Sequence, residues 1–405
     1  MMIERELYMK RIRPFIGNEL IKVLTGIRRS GKSVMLELIK KELIKQGFTQ
    51  EQFISFNFEQ MSNSKFCTAE ALYKEITNRM KEKKEKVVFF FDEIQEVKQW
   101  EKCINSLRID YNCDIYITGS NAKLLSGELA TYLAGRYVEF VIYPFSFQEY
   151  LDMKKTQMSG VNIVQEFQQY IELGGMPFLQ NLQGNKEASM QYLKDVYNSV
   201  VLKDVIRRNN IREVDMLDRI VSYVMANVGH VFSASSIVKY FKSENRKISC
   251  ETVMNYLKMC QEAFLIYKAP REDLVGKKIL SVNEKYYIAD HGIREAVYGN
   301  NGRDIELILE NIVYMELMRR GYEVTIGKAG TKEVDFVGKK NGEKIYIQVT
   351  YLLASEQTIQ REFGVYKSIQ DNYPKYVVSM DEFNFSREGI KHYNIREFLL
   401  KETYI

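Results

Sequence analysis

Residues 26–33 read Gly26-Ile27-Arg28-Arg29-Ser30-Gly31-Lys32-Ser33, a glycine, four residues, then Gly-Lys-Ser. Residue types at this spacing can cradle a phosphate chain. The glycines let the backbone curl so that its N–H groups face anionic oxygens. Lys32 supplies the cation for the β- and γ-phosphates, and the Ser33 hydroxyl is a ligand for Mg²⁺. All eight residues are candidates for holding ATP. Further along, the apolar run Val87-Val88-Phe89-Phe90-Phe91 ends in Asp92-Glu93. Asp92 would hold Mg²⁺ through water, and Glu93 would polarise the attacking water. The next apolar run ends Ile117-Thr118-Gly119-Ser120-Asn121. Asn121 or Ser120 could help position that water, with a helix N-cap the rival role for either. Arg136, in Leu133-Ala134-Gly135-Arg136, precedes another apolar run. An arginine there can reach a neighbouring subunit's nucleotide, or serve a surface ion pair.

These residues need a sheet to position them. The runs Leu20–Leu24, Phe53–Phe58, Val87–Phe91, Cys113–Thr118 and Val138–Ile142 read as strands. Helical patterns lie between them, near 33–46, 69–84, 98–109 and 121–133. Strand–helix alternation predicts a parallel sheet covered on both faces, with ligands at its C-terminal edge.

With 405 residues, two or three domains are expected. A net charge of +5 excludes a strongly basic nucleic-acid binder unless the charge is local. Five cysteines without a C-x-x-C pair, and three scattered histidines, argue against a disulfide framework or a histidine metal site. No run reaches membrane-spanning length and no signal pattern is seen, so a cytoplasmic protein without a membrane is expected.

The order of phosphate loop, Asp-Glu strand, polar strand end and helix-terminal arginine resembles the AAA+ ATPase family. The run Ile117 to Arg136 is similar to a prokaryotic branch that carries an appended C-terminal domain of unknown function. Gly174-Gly175-Met176-Pro177 resembles that branch's lid motif. A Lys-Asp run similar to Lys203-Asp204 opens the appended domain in that branch.

Beyond Phe145 the pattern turns helical through 208, broken at Gly174-Gly175 and Gly184. Residues 215–270 read as a winged helix. Met216, Ile220, Val221, Val224 and Val228 form one apolar stripe, Ser235 or Ser236 starts a second helix, and Ser249 caps a third. The third helix carries Glu251, Lys258 and Glu262, a face poorly suited to phosphates. The order that follows is a helix over 303–320 with Glu310, strands near 323–326, 333–338 and 344–351, a helix near 355–369, a strand 375–380 and a helix 391–400. It is similar to the restriction-endonuclease-like PD-(D/E)XK fold. Glu310 and Asp335 match the first two acids of that resemblance. Gln348-Val349-Thr350 stands where it implies acid-x-Lys, which removes a carboxylate and a lysine and weakens a Mg²⁺ site.

The expected fold class is α/β. A P-loop NTPase core spans 1–145, a helical lid and connector 146–208, a winged-helix-like segment 209–283, and an inactive restriction-endonuclease-like domain 284–405. The expected function is an ATP-binding, ATP-hydrolysing AAA+ switch with ATP and Mg²⁺. A homo-oligomer and an unidentified protein partner are its expected company, with nucleic acid less favoured. The alternatives are ATP-gated nucleic-acid processing and a non-hydrolysing nucleotide-dependent scaffold.

Overall fold

The apolar runs of the first third become β1 (Ile21–Thr25), β2 (Phe53–Asn57), β3 (Val87–Asp92), β4 (Cys113–Thr118) and β5 (Tyr137–Val141). In a computed structural model they form one sheet, ordered β2-β3-β4-β1-β5, with every pairing parallel. The structure describes residues 2–404 apart from 82–84, 126–132, 159, 275 and 277. β1 and β3 are buried along their whole length, as a strand covered on both faces must be. β3 packs its phenylalanines against both neighbours, with Phe56–Phe91 ring centroids 6.1 Å apart and Phe90–Tyr116 5.2 Å apart. Helices α1 (Glu6–Ile12), α2 (Lys32–Lys45), α3 (Ala69–Met80) and α4 (Trp100–Asp110) accompany the sheet. Of the helix expected over 121–133, Ala122–Leu125 forms a 3₁₀ turn; most of the rest lies outside the described residues.

The described residues divide into two compact units. One is Met2–Tyr143 with Glu262–Phe264, and the other Pro144–Gln261 with Leu265 to the end. The second opens with α5 (Phe147–Gln157), α6 (Ile163–Leu173) and α7 (Lys186–Ser199). A π-helical stretch, Val200–Arg207, follows. Asp204 is buried there at 1% exposure and faces Arg208 at 3.4 Å. Then come α8 (Val214–Ala226), β6 (Val231–Phe232), α9 (Ala234–Ser243), α10 (Cys250–Glu262), β7 (Ile266–Asp273) and β8 (Lys278–Ile288). Ser233 caps α9, rather than Ser235 or Ser236, with its Oγ accepting from the Ser236 N–H at 3.3 Å.

The remaining elements are α11 (His291–Val297), α12 (Ile305–Arg319), β9 (Glu323–Ala329), β10 (Lys332–Lys340), β11 (Glu343–Val349), α13 (Glu356–Gly364), β12 (Lys375–Ser379), β13 (Lys391–Asn394) and α14 (Ile395–Leu400). Among the described residues, the eight strands of this unit share one mixed sheet, ordered β13-β12-β11-β10-β9-β7-β8-β6. The helix expected over 391–400 begins only at Ile395. Lys391–Asn394 instead pairs in parallel with β12 and buries alternate residues, the period of a strand. Asn394 then caps α14 through the Arg396 N–H at 3.0 Å.

The Gly174-Gly175 break serves packing inside this unit. One Asp290 oxygen accepts from the Gly292 and Ile293 N–H groups at 3.0 and 3.2 Å, capping α11, and the other accepts from the Gly175 N–H at 2.7 Å. A Cβ on Gly174 would come within 2.2 Å of Asp290 Oδ1, at a φ of +77° that disfavours side chains.

Candidate functional site

The phosphate-loop sequence lies where β1 gives way to α2. Gly26, at φ +133°, passes so close to β5 that a Cβ would stand 2.2 Å from the Ile142 carbonyl oxygen. Gly31, at φ +98°, caps α2 and brings no side-chain acceptor to its first turn. The helix N-terminus therefore keeps N–H groups and a positive dipole end for an anion. Ile27 is buried in the core, while Arg29 is exposed with φ +67°. Arg28 donates to Glu59 at 2.7 Å. Ser30 is fully buried, and its hydroxyl lacks a hydrogen-bond partner. Ser33 is exposed at the mouth of the loop.

Lys32 is 4% exposed. Its ammonium donates to the Gly26 and Ile27 carbonyls at 3.0 and 3.1 Å and stands 3.9 Å from Glu93 Oε1. It is thus folded over the loop, with neutral oxygens that phosphate oxygens can replace. The uncapped helix start, the orphaned Ser30 hydroxyl and this buried cation all suit a bound polyphosphate.

Asp92 ends β3 between two polar neighbours that the strand register supplies. Asn57 is its β2 partner and donates to Asp92 Oδ2 at 3.0 Å. On the other side, the Thr118 hydroxyl donates to Asp92 Oδ1 at 2.6 Å and accepts from the Glu93 N–H at 2.9 Å. Each carboxylate oxygen retains a lone pair, so Asp92 and Ser33 fit the needs of a hydrated Mg²⁺. Glu93 takes the left-handed φ of +55° and accepts from the Gln95 amide.

Asn57, Thr118 and Gln95 were not singled out by sequence reasoning, although Thr118 ends the strand beside Asp92. Arg5 was also missed. It is 4% exposed and holds the loop by donating to the Ser30 carbonyl at 2.9 Å and the Tyr143 carbonyl at 2.8 Å.

Ser120 and Asn121 are both buried just past β4, and the Asn121 carbonyl accepts from the Leu124 N–H at 3.1 Å. Arg136 lies apart. Its carbonyl accepts from the Ile21 N–H at 2.9 Å, and its exposed side chain donates to Asn105 at 3.2 Å. Ile21 begins β1 and the phosphate loop follows its end. With parallel strands, Arg136 therefore sits at the opposite sheet edge, about 15 Å away at ~3.3 Å per residue. That excludes contact with its own chain's nucleotide at this loop.

In the second unit, Glu310, Asp335 and Gln348 come together. A lysine that the acid-x-Lys pattern did not reveal joins them. Lys285 of β8 stands 3.0 Å from Glu310, 3.0 Å from Glu333 and 3.8 Å from Asp335. The Tyr287 hydroxyl donates to the same Glu310 oxygen at 2.6 Å. Asp335 Oδ2 accepts from the Val349 N–H at 2.8 Å, and the Asp335 N–H donates to the Gln348 amide oxygen at 3.2 Å. Thr350 is turned to Glu306 at 3.2 Å. Burial pulls the Lys285 ammonium down, but Glu310, Asp335 and Glu333 outweigh it and hold it above the ordinary lysine value. Burial first, then the Glu310 carboxylate, push Asp335 well above the usual aspartate range. Thr350 still replaces the acid-x-Lys lysine, and Lys285 reaches the centre from a different strand.

A model described as an AAA domain matches residues 18–151, and a domain of unknown function (DUF8612) matches 164–304. An uncharacterized protein of Haemophilus influenzae is 37% identical over 99% of both chains. The chain belongs to the AAA-domain family of P-loop ATPases. In this family an uncharacterized protein of Methanocaldococcus jannaschii is 32% identical, covering 87% of this chain and 79% of its own. The Walker-type ATPase of Pyrococcus abyssi shares the fold at a TM-score of 0.50 and 16% identity, over 73% of this chain and 96% of that one. The family resemblance, its P-loop sheet and its appended domain of unknown function are thereby established. No helix among the described residues is long and apolar enough to cross a membrane.

Proposed function

We propose that this AAA-family chain hydrolyses ATP to ADP and phosphate and works as a nucleotide-driven switch. The convergence of Lys32 and Glu93 at 3.9 Å, beside an Asp92 oriented from both sides, carries this reading. The N–H groups of Gly26–Ser33 receive the phosphate oxygens. Lys32 exchanges the Gly26 and Ile27 carbonyls for β/γ-phosphate oxygens. Ser33 and Asp92 would hold Mg²⁺, which when bound would supply charge to offset that on the transferring phosphoryl group. Glu93 orients water and draws off its proton. Asn121 or Ser120 assists from the end of β4. A site that only bound nucleotide would have no use for Glu93, so hydrolysis is favoured over a passive scaffold. Phosphate release from ATP by the purified chain, present with Mg²⁺ and abolished by chelation, is the test. Absence of turnover at saturating ATP would return the scaffold to first place.

Arg136 acts on the nucleotide of a second copy in this reading, because its own site is at the other sheet edge. Mixing Arg136→Ala with Glu93→Gln chains tests it. Shared sites make the mixture's activity depart from the average of the parents, and simple averaging removes the role.

For the second unit we infer a centre closed to metal and to nuclease chemistry, within an appended domain used for protein interaction. Its cation is Lys285, already balanced by Glu310 and Glu333. The order α8, β6, α9, α10, β7, β8 supports a winged-helix reading. Incubation of DNA or RNA with the chain and Mn²⁺ should give no cleavage above background. Robust cleavage lost in Asp335→Asn would favour the ATP-gated nucleic-acid alternative.

A further inference from the structure

We propose that Gln95 is the positioning residue that aims Glu93 at the attacking water; this rests on the ATP-hydrolysis reading above. Glu93 occupies a left-handed conformation at φ +55°, which is strained for a non-glycine residue and persists only where surroundings enforce it. Two contacts enforce it. Thr118 Oγ1 accepts from the Glu93 N–H at 2.9 Å. At the other end, Gln95 Nε2 donates to Glu93 Oε2. A carboxylate only accepts, so this contact fixes which way round the amide lies.

The amide oxygen is then left buried without a hydrogen-bond partner, which is unfavourable. It is wedged against the end of β4. A Cβ on Gly119 would come within 2.9 Å of Gln95 Oε1 and 2.7 Å of Leu124 Cδ2. The turn that carries Gln95 is itself anchored. Ile94 and Val97 are buried, and the Val97 N–H donates to the Ile94 carbonyl at 2.9 Å. A strained backbone and an orphaned acceptor at one carboxylate are costs that stability alone does not explain. They are explained if the direction of the Glu93 carboxylate is what the arrangement secures. Lys32, the other group near Glu93, is needed by the phosphates once ATP arrives. Gln95 then remains as the donor that holds Glu93.

The test compares wild type with Gln95→Met, which keeps length and removes the donor, and with Gly119→Ala, whose added methyl displaces the amide from the other side. Turnover, KM for ATP and affinity for a fluorescent ATP analogue are measured, together with the melting temperature. A displaced base costs about 10–100-fold. Gln95→Met should lower kcat by that factor while KM and analogue affinity stay within about twofold. Gly119→Ala should shift kcat in the same direction. Wild-type kcat in Gln95→Met overturns the proposal and leaves the ATPase reading intact. Affinity falling in step with kcat, or a large fall in melting temperature, shows a structural role and overturns it too. A wild-type chain that binds the analogue without turnover overturns both readings.

Discussion

Each compact unit gathers a buried lysine and carboxylates, but the two lysines keep different company. Lys32 donates to the neutral carbonyls of Gly26 and Ile27 and stands 3.9 Å from a Glu93 carboxylate oxygen. Lys285 touches two carboxylates at 3.0 Å each. A buried ammonium on carbonyl oxygens gains by exchanging them for phosphate. One already paired with carboxylates loses several kcal/mol if pulled away. The first arrangement is a site waiting for an anion. The second is a closed ion-pair network. In the proposed reading, resemblance to a nuclease fold does not by itself carry activity, whereas the phosphate-loop geometry suits a bound polyphosphate.

The contrast can be broken from either side. Lys32→Ala should weaken ATP binding by about 30- to 150-fold, because a desolvated charge-assisted contact worth about 2–3 kcal/mol is lost. Calorimetric titration of ATP checks this, and wild-type affinity would remove the distinction between the lysines. Lys285→Met should act on stability instead. It leaves Glu310, Glu333 and Asp335 without their cation, and breaking such a pair costs about 3–5 kcal/mol. Denaturant unfolding should show a transition shifted by that amount, with ATP affinity unchanged. A neutral effect would mean that the acids are not held by Lys285.

The part of this contrast legible in sequence was the local part. Gly26 to Ser33 and Asp92-Glu93 are contiguous, and their flanking apolar runs fixed β1 and β3 within a residue. Asn57 and Thr118 acquire their role only from strand register beside Asp92. Lys285 meets Glu310 across 25 residues and a change of element, which no spacing rule announces. The Lys391–Asn394 strand was hidden because its four residues run straight into the helical pattern of α14. Gly174-Gly175 was visible as a motif, but its reason, the Asp290 side chain, lies 115 residues away from Gly175.

A smaller, pH-dependent effect separates the units further. His291 is buried in the second unit, its Nε2–H donating to the Tyr170 carbonyl at 2.6 Å. Burial lowers its affinity for a proton below the ordinary histidine value. The folded state then binds fewer protons than the unfolded one. Stability from this group is full above the unfolded value of about 6.5 and declines as pH falls through it toward the folded value. Melting followed from pH 7.5 to 5.5 should show that decline reduced in His291→Gln, by about 1 kcal/mol or less. An identical pH slope in both chains would remove His291 as its source.

The central claim, that the phosphate-loop unit is built to hydrolyse rather than merely hold ATP, is tested most directly by Glu93→Gln. Bound nucleotide and phosphate release are measured in the same sample at saturating ATP and Mg²⁺. The amide cannot draw a proton from water, so ATP should remain bound with wild-type affinity while turnover falls about a hundredfold or more. Turnover equal to wild type would contradict the account.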